Sequence, residues 1–326
     1  MAAGTSRLLP SDIRLSPECR TSRLLDPVRG QARPRTRVQP GAGPYPEIDV
    51  VIDRQDRIFW CYLRPDGVPS FTPGILRDLA EMQRSMRRMF KDSAEPPLRY
   101  FVVASRLPGV FSMGGDLGFL ADRIRSGDRT AVANYARACI EVVYNNAMAL
   151  DLPIVTIALV QGAALGGGFE AALSCNVIIA ERHVNLGLPE IHFNLFPGMG
   201  AYSFLSRRLD SARAERMILR GTAYTAPELF EMGLVDVLAE PGQGERAVRR
   251  YIAQDARRHG VERSIYDVRQ RINPLTFEEL QDVSAIWVEA AMRLEEADLR
   301  KMERLRAAQQ RRVAAAGANG AAAAGR

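Results

Sequence analysis

Three short segments of the 326-residue sequence hold residue types that could do chemistry. The first, Phe111-Ser112-Met113-Gly114-Gly115-Asp116-Leu117, is a strand-to-helix loop with paired glycines. The second is Gln161-Gly162-Ala163-Ala164-Leu165-Gly166-Gly167-Gly168-Phe169-Glu170, and the third is Leu186-Gly187-Leu188-Pro189-Glu190-Ile191. Paired glycines ahead of a helix let the backbone bend until free N–H groups converge, and the helix N-terminus adds positive potential at that point. One such loop could cradle a phosphate. Two of them better suit a carbonyl oxygen that gains negative charge during a reaction, each donor being worth about 3 kcal/mol. Glu170 and Glu190 both stand among apolar residues. A carboxylate there is costly to ionise, and its pKa is pushed up toward the range useful for proton transfer near neutrality. Taken singly, each glycine run could equally serve tight helix–strand packing, and each glutamate a structural hydrogen bond. Their combination favours chemistry.

Other common chemistries are excluded. No GK[ST] follows either glycine cluster, so there is no Walker loop, and Gly162, Gly166, Gly167 and Gly168 lack GxGxxG spacing. The cysteines, Cys19, Cys61, Cys139 and Cys175, are scattered without CxxC spacing, which argues against a metal site or a disulfide framework and for a reducing compartment. None of the three histidines stands in a GxSxG context. His192, two residues past Glu190, could tune the site but suits a packed or exposed position, and His183 and His259 are expected at the surface.

These residues need a frame of alternating strands and helices. Ile48 to Ile52 and Ile58 to Leu63 pattern as paired strands about an Asp53-Arg54-Gln55-Asp56 turn. A helix over Pro73 to Phe90, a strand over Arg99 to Ala104 and a long helix over Thr130 to Leu150 follow. The continuous apolar stretch Ile154 to Val160 reads as a buried strand. Gly167 to Ser174 reads as a helix opening on glycines and Asn176 to Ala180 as the next strand. Further on come helices over Ser211 to Leu219, Ala226 to Met232 and Glu245 to Arg257, a strand at Leu234 to Leu238, and one long amphipathic pattern over Thr276 to Leu305. The alternation implies an α/β class built from short β-β-α units.

Composition is that of a globular protein, with 47% hydrophobic and 25% charged residues. The net charge of +6 resides in the two ends. Residues 1–40 carry +5 and residues 301–326 carry +5, which leaves −4 for the body. The Arg-rich ends lack interleaved aromatics, so a nucleic-acid partner is not expected. The N-terminus has no apolar core of a secretory signal, and the longest apolar run is far short of the roughly 20 residues a membrane span needs. A soluble, cytoplasmic protein is expected, with residues 1–44 disordered and 313–326 a low-complexity, frayed or disordered tail.

At the level of motifs, the FSMGGDL loop, the GAALGGGFEAALSCNVIIA stretch and Glu190 twenty positions after Glu170 resemble the crotonase (enoyl-CoA hydratase/isomerase) superfamily. Within it, NLFPGMGAYSFLSRR and FWCYLRPDGVPSFTPGILRDL are similar to the diffusible signal factor synthases of the RpfF type. The resemblance implies a crotonase-like spiral of ββα units over 45–260, then a helical C-terminal region over 261–312 that covers an acyl pocket, in a homotrimer or hexamer. It implies that the backbone N–H groups of Gly115 and Gly167 form an oxyanion hole, that Glu170 and Glu190 are the acid–base pair, and that Met199 and Trp287 line the pocket.

The activity so implied is dehydration of a 3-hydroxyacyl thioester to a cis-2-enoyl thioester, then thioester hydrolysis, with Glu190 as base and Glu170 as acid. It needs no cofactor. The substrate arrives on acyl carrier protein or CoA, and a sensor-kinase receiver domain is a further implied partner. Arg207, Arg208 and Arg213 are a candidate patch for docking an acidic carrier protein. The alternative is an enoyl-CoA hydratase or isomerase of fatty-acid metabolism, which the two glutamates serve equally well.

Overall fold

The computed structural model describes residues 44–324 apart from 66 and 256, with side chains through 311 except that of 255. Of the expected N-terminal extension, 1–44, all but Pro44 lies outside the described residues. Strands β1 (Ile48–Asp53) and β2 (Ile58–Leu63) form an antiparallel hairpin, and every side chain of β2 is buried. Helix α1 (Pro73–Lys91) starts where Thr72 Oγ1 accepts from the Ile75 N–H and Pro73 occupies the first turn, and it buries Ile75, Leu79, Met82 and Met86.

From β3 the chain alternates between two sheets. Strands β3 (Tyr100–Ser105), β5 (Val155–Val160), β7 (Val177–Glu181) and β10 (Val237–Ala239) extend the hairpin in parallel, giving the order β1-β2-β3-β5-β7-β10. Strands β4 (Val110–Ser112), β6 (Ala163–Leu165), β8 (Asn185–Gly187) and β9 (Ala223–Thr225) form the second sheet in that order. Each of β3, β5 and β7 hands the chain to a short strand of the second sheet. A helix follows in two of the turns, α2 (Leu117–Arg125) and α4 (Gly167–Leu173), and a 3₁₀ turn (Glu190–Phe193) in the third. The candidate residues therefore recur at one level of the spiral, just beyond the ends of β4, β6 and β8. The α/β class and the repeated ββα unit are as the sequence implies.

The four strands of the second sheet escape sequence detection because each has three residues, too few to display a period of two, and Ala, Gly and Asn are common among them. The long helix α3 (Arg129–Ala147) ends before the expected Leu150. Ala149, Leu150 and Asp151 all take positive φ (48°, 59° and 56°), which closes the helix in a left-handed turn before β5.

Helices α5 (Ala201–Arg208), α6 (Ser211–Arg220), α7 (Ala226–Glu231) and α8 (Gly244–Asp255) complete the core. Then come α9 (His259–Ile272), α10 (Phe277–Ala291) and α11 (Glu296–Ala324). The pattern Thr276 to Leu305 is thus two helices, broken at 292–295. Helix α9 falls in the region expected to be helical, and its apolar residues Val261, Ile265, Val268 and Ile272, spaced for one helical face, are all exposed. The backbone of α11 stays helical to Ala324, so the stretch expected to be frayed or disordered continues a helix, as its alanine content favours. Arg125 on α2 pairs with Glu296 and Glu303 on α11, and Arg129 on α3 pairs with Glu289 on α10.

Candidate active site

The two glycine loops meet. Gly114 (φ +94°) and Gly166 (φ +54°) take conformations that side chains disfavour, and each immediately precedes a candidate donor. They also approach too closely for a side chain. A Cβ on Gly114 would lie 2.8 Å from the Leu165 carbonyl oxygen and 2.9 Å from the Gly167 nitrogen. Helices α1, α2 and α3 are capped by Thr72, Asp116 and Asp128, but the cap position of α4 is Gly166, which has no side chain to offer. Gly167, first residue of α4, has no intrahelical partner for its N–H. In the other loop the Gly114 N–H donates to Ser112 Oγ and the Asp116 N–H to Tyr135 Oη, and the Gly115 N–H between them has no hydrogen-bond partner among the described residues. Gly115 and Gly167 share the wall of one cavity.

Both glutamates line that cavity, in unlike settings. Glu170 is 1% exposed, and its Oε1 accepts from the backbone N–H groups of Met199 (2.7 Å) and Ala201 (2.9 Å). It thereby caps α5, whose own cap residue is glycine. Burial pushes its pKa up to about 7, against the pull of those two N–H groups. Glu190 opens the 3₁₀ turn after β8, and its Oε2 is shielded from solvent with no hydrogen-bond partner among the described residues. Its pKa stands well above the ordinary carboxylate range, because burial penalises the charge and Glu170 adds repulsion. Two like acids in one cavity favour a single shared proton. Glu190 is its better holder, since only Glu170 has donors to stabilise a carboxylate.

Met199 and Trp287 also line the cavity. The Met199 sulfur occupies the space where a Cβ on Gly167 would fall, 2.5 Å away. The Trp287 indole N–H donates to the Phe196 carbonyl oxygen (2.8 Å), and its ring packs against Gly198 so closely that a Cβ there would meet it at 2.6 Å. Trp287 thus ties α10 to the Phe196–Gly200 loop that supplies the N–H of Met199. Among the wall residues that sequence reasoning missed are Tyr135 and Cys139 on α3, and Leu305 and Gln309 on α11. Helical periodicity marks α3 and α11 as amphipathic, but no local signal says which buried positions face a cavity.

Two expectations are corrected. Arg207, Arg208 and Arg213 are not a free docking patch. Arg207 pairs with Glu279 (2.5 Å), Arg208 bonds the Cys175 carbonyl oxygen and lies 3.9 Å from Asp236, and Arg213 pairs with Asp210 (2.6 Å). His259, expected at the surface, is half-buried, with Nε2 3.0 Å from the Arg99 carbonyl oxygen and its ring edge-on to Tyr100. His192 is exposed and hydrogen-bonds the Gly221 carbonyl oxygen, and His183 is exposed near Glu181. No described helix is long and apolar enough to cross a membrane.

Two N–H donors without a partner among the described residues, facing one buried and one half-buried glutamate, suit acid–base chemistry on a substrate with a polarisable carbonyl. Residues 64–260 match the enoyl-CoA hydratase/isomerase family model, and the chain belongs to that family, part of the crotonase superfamily. It is 32% identical over 170 residues to a probable mitochondrial enoyl-CoA hydratase 2 of Arabidopsis thaliana, covering 52% of this chain and 54% of that protein. It is 29% identical over 188 residues to the mitochondrial methylglutaconyl-CoA hydratase of Rattus norvegicus, covering 57% and 56%. The chain spans about half the length of these curated relatives. Its fold matches the crystal structure of an enoyl-CoA hydratase from Bacillus halodurans with a TM-score of 0.66 at 21% identity, over 78% of this chain and 98% of that one.

Proposed function

We propose that the site adds water to, or removes it from, the C2–C3 bond of a fatty-acyl thioester. The observation that carries this is the single cavity in which Glu170 and Glu190 face the N–H groups of Gly115 and Gly167. The thioester oxygen sits between the two donors, which stabilise the enolate-like charge that develops there. In the hydrating direction Glu170, ionised, takes a proton from water as its oxygen bonds to C3. Glu190 then delivers its proton to C2 as the enolate collapses. The resting distribution, with the proton on Glu190, suits this direction. Dehydration reverses each step: Glu190 removes the C2 proton and Glu170, protonated beforehand, gives a proton to the departing 3-hydroxyl. Glu190 as base and Glu170 as acid is therefore the same path run backward. Each transfer is worth about 10²–10⁴ in rate, and none needs a cofactor.

The finer assignment is synthesis of a cis-2-unsaturated fatty acid signal. A 3-hydroxyacyl carrier protein is dehydrated, and water then attacks the thioester carbonyl within the same pair of donors, releasing the free acid and the carrier thiol. It is supported by the NLFPGMGAYSFLSRR segment, whose Phe196 and Met199 contact Trp287 and Glu170 at the cavity. The family match and the hydratase relatives support plain hydration of an enoyl-CoA. Mass spectrometry of products decides between them. Incubation with 3-hydroxydodecanoyl carrier protein should yield free dodecenoic acid, absent with the Glu170→Ala chain. Hydrated acyl-CoA from 2-dodecenoyl-CoA, with no free acid from the carrier thioester, would leave only the hydratase. Full activity on both substrates after loss of either glutamate would sink the acid–base assignment altogether.

A further inference from the structure

Tyr135 lies on α3, twenty residues beyond the first glycine loop, and its side chain returns to that loop. Its Oη accepts from the Asp116 N–H at 2.8 Å and donates to the Phe71 carbonyl oxygen at 2.7 Å. The residue is 6% exposed and lines the cavity. The loop is also held from the other side: the Phe71 N–H donates to the Gly114 oxygen and the Met113 N–H to the Pro69 oxygen, both at 2.7 Å. Every backbone N–H from Met113 to Asp116 is thus claimed except that of Gly115. A Cβ on Gly115 would lie 3.3 Å from Tyr135 Oη, so the hydroxyl stands directly beside the donor it leaves free.

We infer that Tyr135 is a positioning residue for the first oxyanion donor, its hydroxyl fixing the Gly115 peptide by bracing Asp116 against Phe71. This rests on the oxyanion hole proposed above. Without the hydroxyl, the Asp116 N–H and the Phe71 carbonyl lose a buried partner, and backbone bonds alone, the bridge between Phe71 and Gly115 among them, join the two segments, so the loop can shift. The Gly115 N–H then leaves the line of the substrate oxygen. A displacement of about 1 Å is enough to cost about 100-fold in rate.

The test reads the donor through a bound chromophore. A 3-oxododecanoyl-CoA gives up a C2 proton on binding and shows an enolate absorption band when its thioester oxygen is stabilised as an anion. Wild type should show the band. The Tyr135→Phe chain should bind the same probe within about threefold, show a much weaker band, and lose about 10- to 100-fold in kcat with KM little changed. A full-strength band and wild-type kcat in Tyr135→Phe would overturn the inference while leaving the oxyanion hole standing. Absence of the band in wild type would overturn the hole and this inference with it. Should Tyr135→Phe fail to fold, 3,5-difluorotyrosine at position 135 keeps both hydrogen bonds while weakening the oxygen as an acceptor. Its band should fall by a measurable fraction, and an unchanged band overturns the role.

Discussion

Glu170 and Glu190 are the same residue type in the same cavity, and their surroundings are opposite. Glu170 stands on a regular helix and receives two N–H bonds from the start of α5. Glu190 stands on a single 3₁₀ turn and presents a shielded oxygen with no partner. Burial raises both pKa values, but only one carboxylate is equipped to be ionised near neutrality. The comparison teaches that backbone donors, rather than side-chain identity, set which of the two carboxyls ionises more readily. Two glutamates in otherwise apolar walls become different reagents because one caps a helix.

The sharpest way to break this comparison is to neutralise each acid at constant shape. Glu170→Gln keeps an oxygen for the Met199 and Ala201 N–H groups, so the loop should hold. Glu190→Gln replaces an already neutral group. Each should lose about 10²–10⁴ in kcat for hydration. Their pH–rate profiles should differ. The limb near pH 7 belongs to ionisation of Glu170, so it should persist in the residual activity of Glu190→Gln and vanish in Glu170→Gln. A limb that survives in Glu170→Gln would reverse the assignment.

A somewhat smaller effect should appear in stability. Each group holds its proton more tightly folded than unfolded, so its stabilising contribution is complete below the ordinary carboxylate value of 4.5 and is lost as pH rises through the folded-state value. For Glu170 the window runs from about 4.5 to about 7, and the loss is about 3 kcal/mol. For Glu190 it begins at the same pH and extends upward. Urea midpoints at pH 5 and pH 8 should therefore diverge in wild type and draw together in either Gln variant. Parallel behaviour of all three proteins would show that the carboxyls are not desolvated.

What was legible in the sequence follows the same physics. The glycine loops and both glutamates showed because they violate local expectation: adjacent glycines before a helix, and a carboxylate inside GGGFEAALS. Tyr135 did not show, because a tyrosine on the buried face of an amphipathic helix is ordinary and its link to Asp116 exists only after folding. The Arg207–Arg208 pair misled for the converse reason. Sequence displays the charges but not the Glu279 partner 72 residues away, nor the Cys175 carbonyl. The fold's long strands showed in their continuous apolar runs. The three-residue strands beneath the site did not, although they carry its loops.

The smallest effect is aimed at Glu190, the acid nearest to Gly166. Gly166 has φ +54°, and a Cβ added there would lie 2.5 Å from Glu190 Oε1 and 3.9 Å from Gly114 Cα. Gly166→Ala must therefore strain a backbone whose φ +54° and ψ −127° suit glycine alone, and it presses directly on the Glu190 carboxyl. Gly233→Ala is its control, since Gly233 has φ +78° and a Cβ there would meet nothing within 4 Å. Both variants should lose thermal stability, Gly166→Ala the more of the two. Only Gly166→Ala should lose activity, by roughly tenfold, with the Glu170 limb still near pH 7 because the N–H groups of Met199 and Ala201 are untouched. Equal activity losses in the two variants would mean that strain, and not the position of Glu190, limits the reaction.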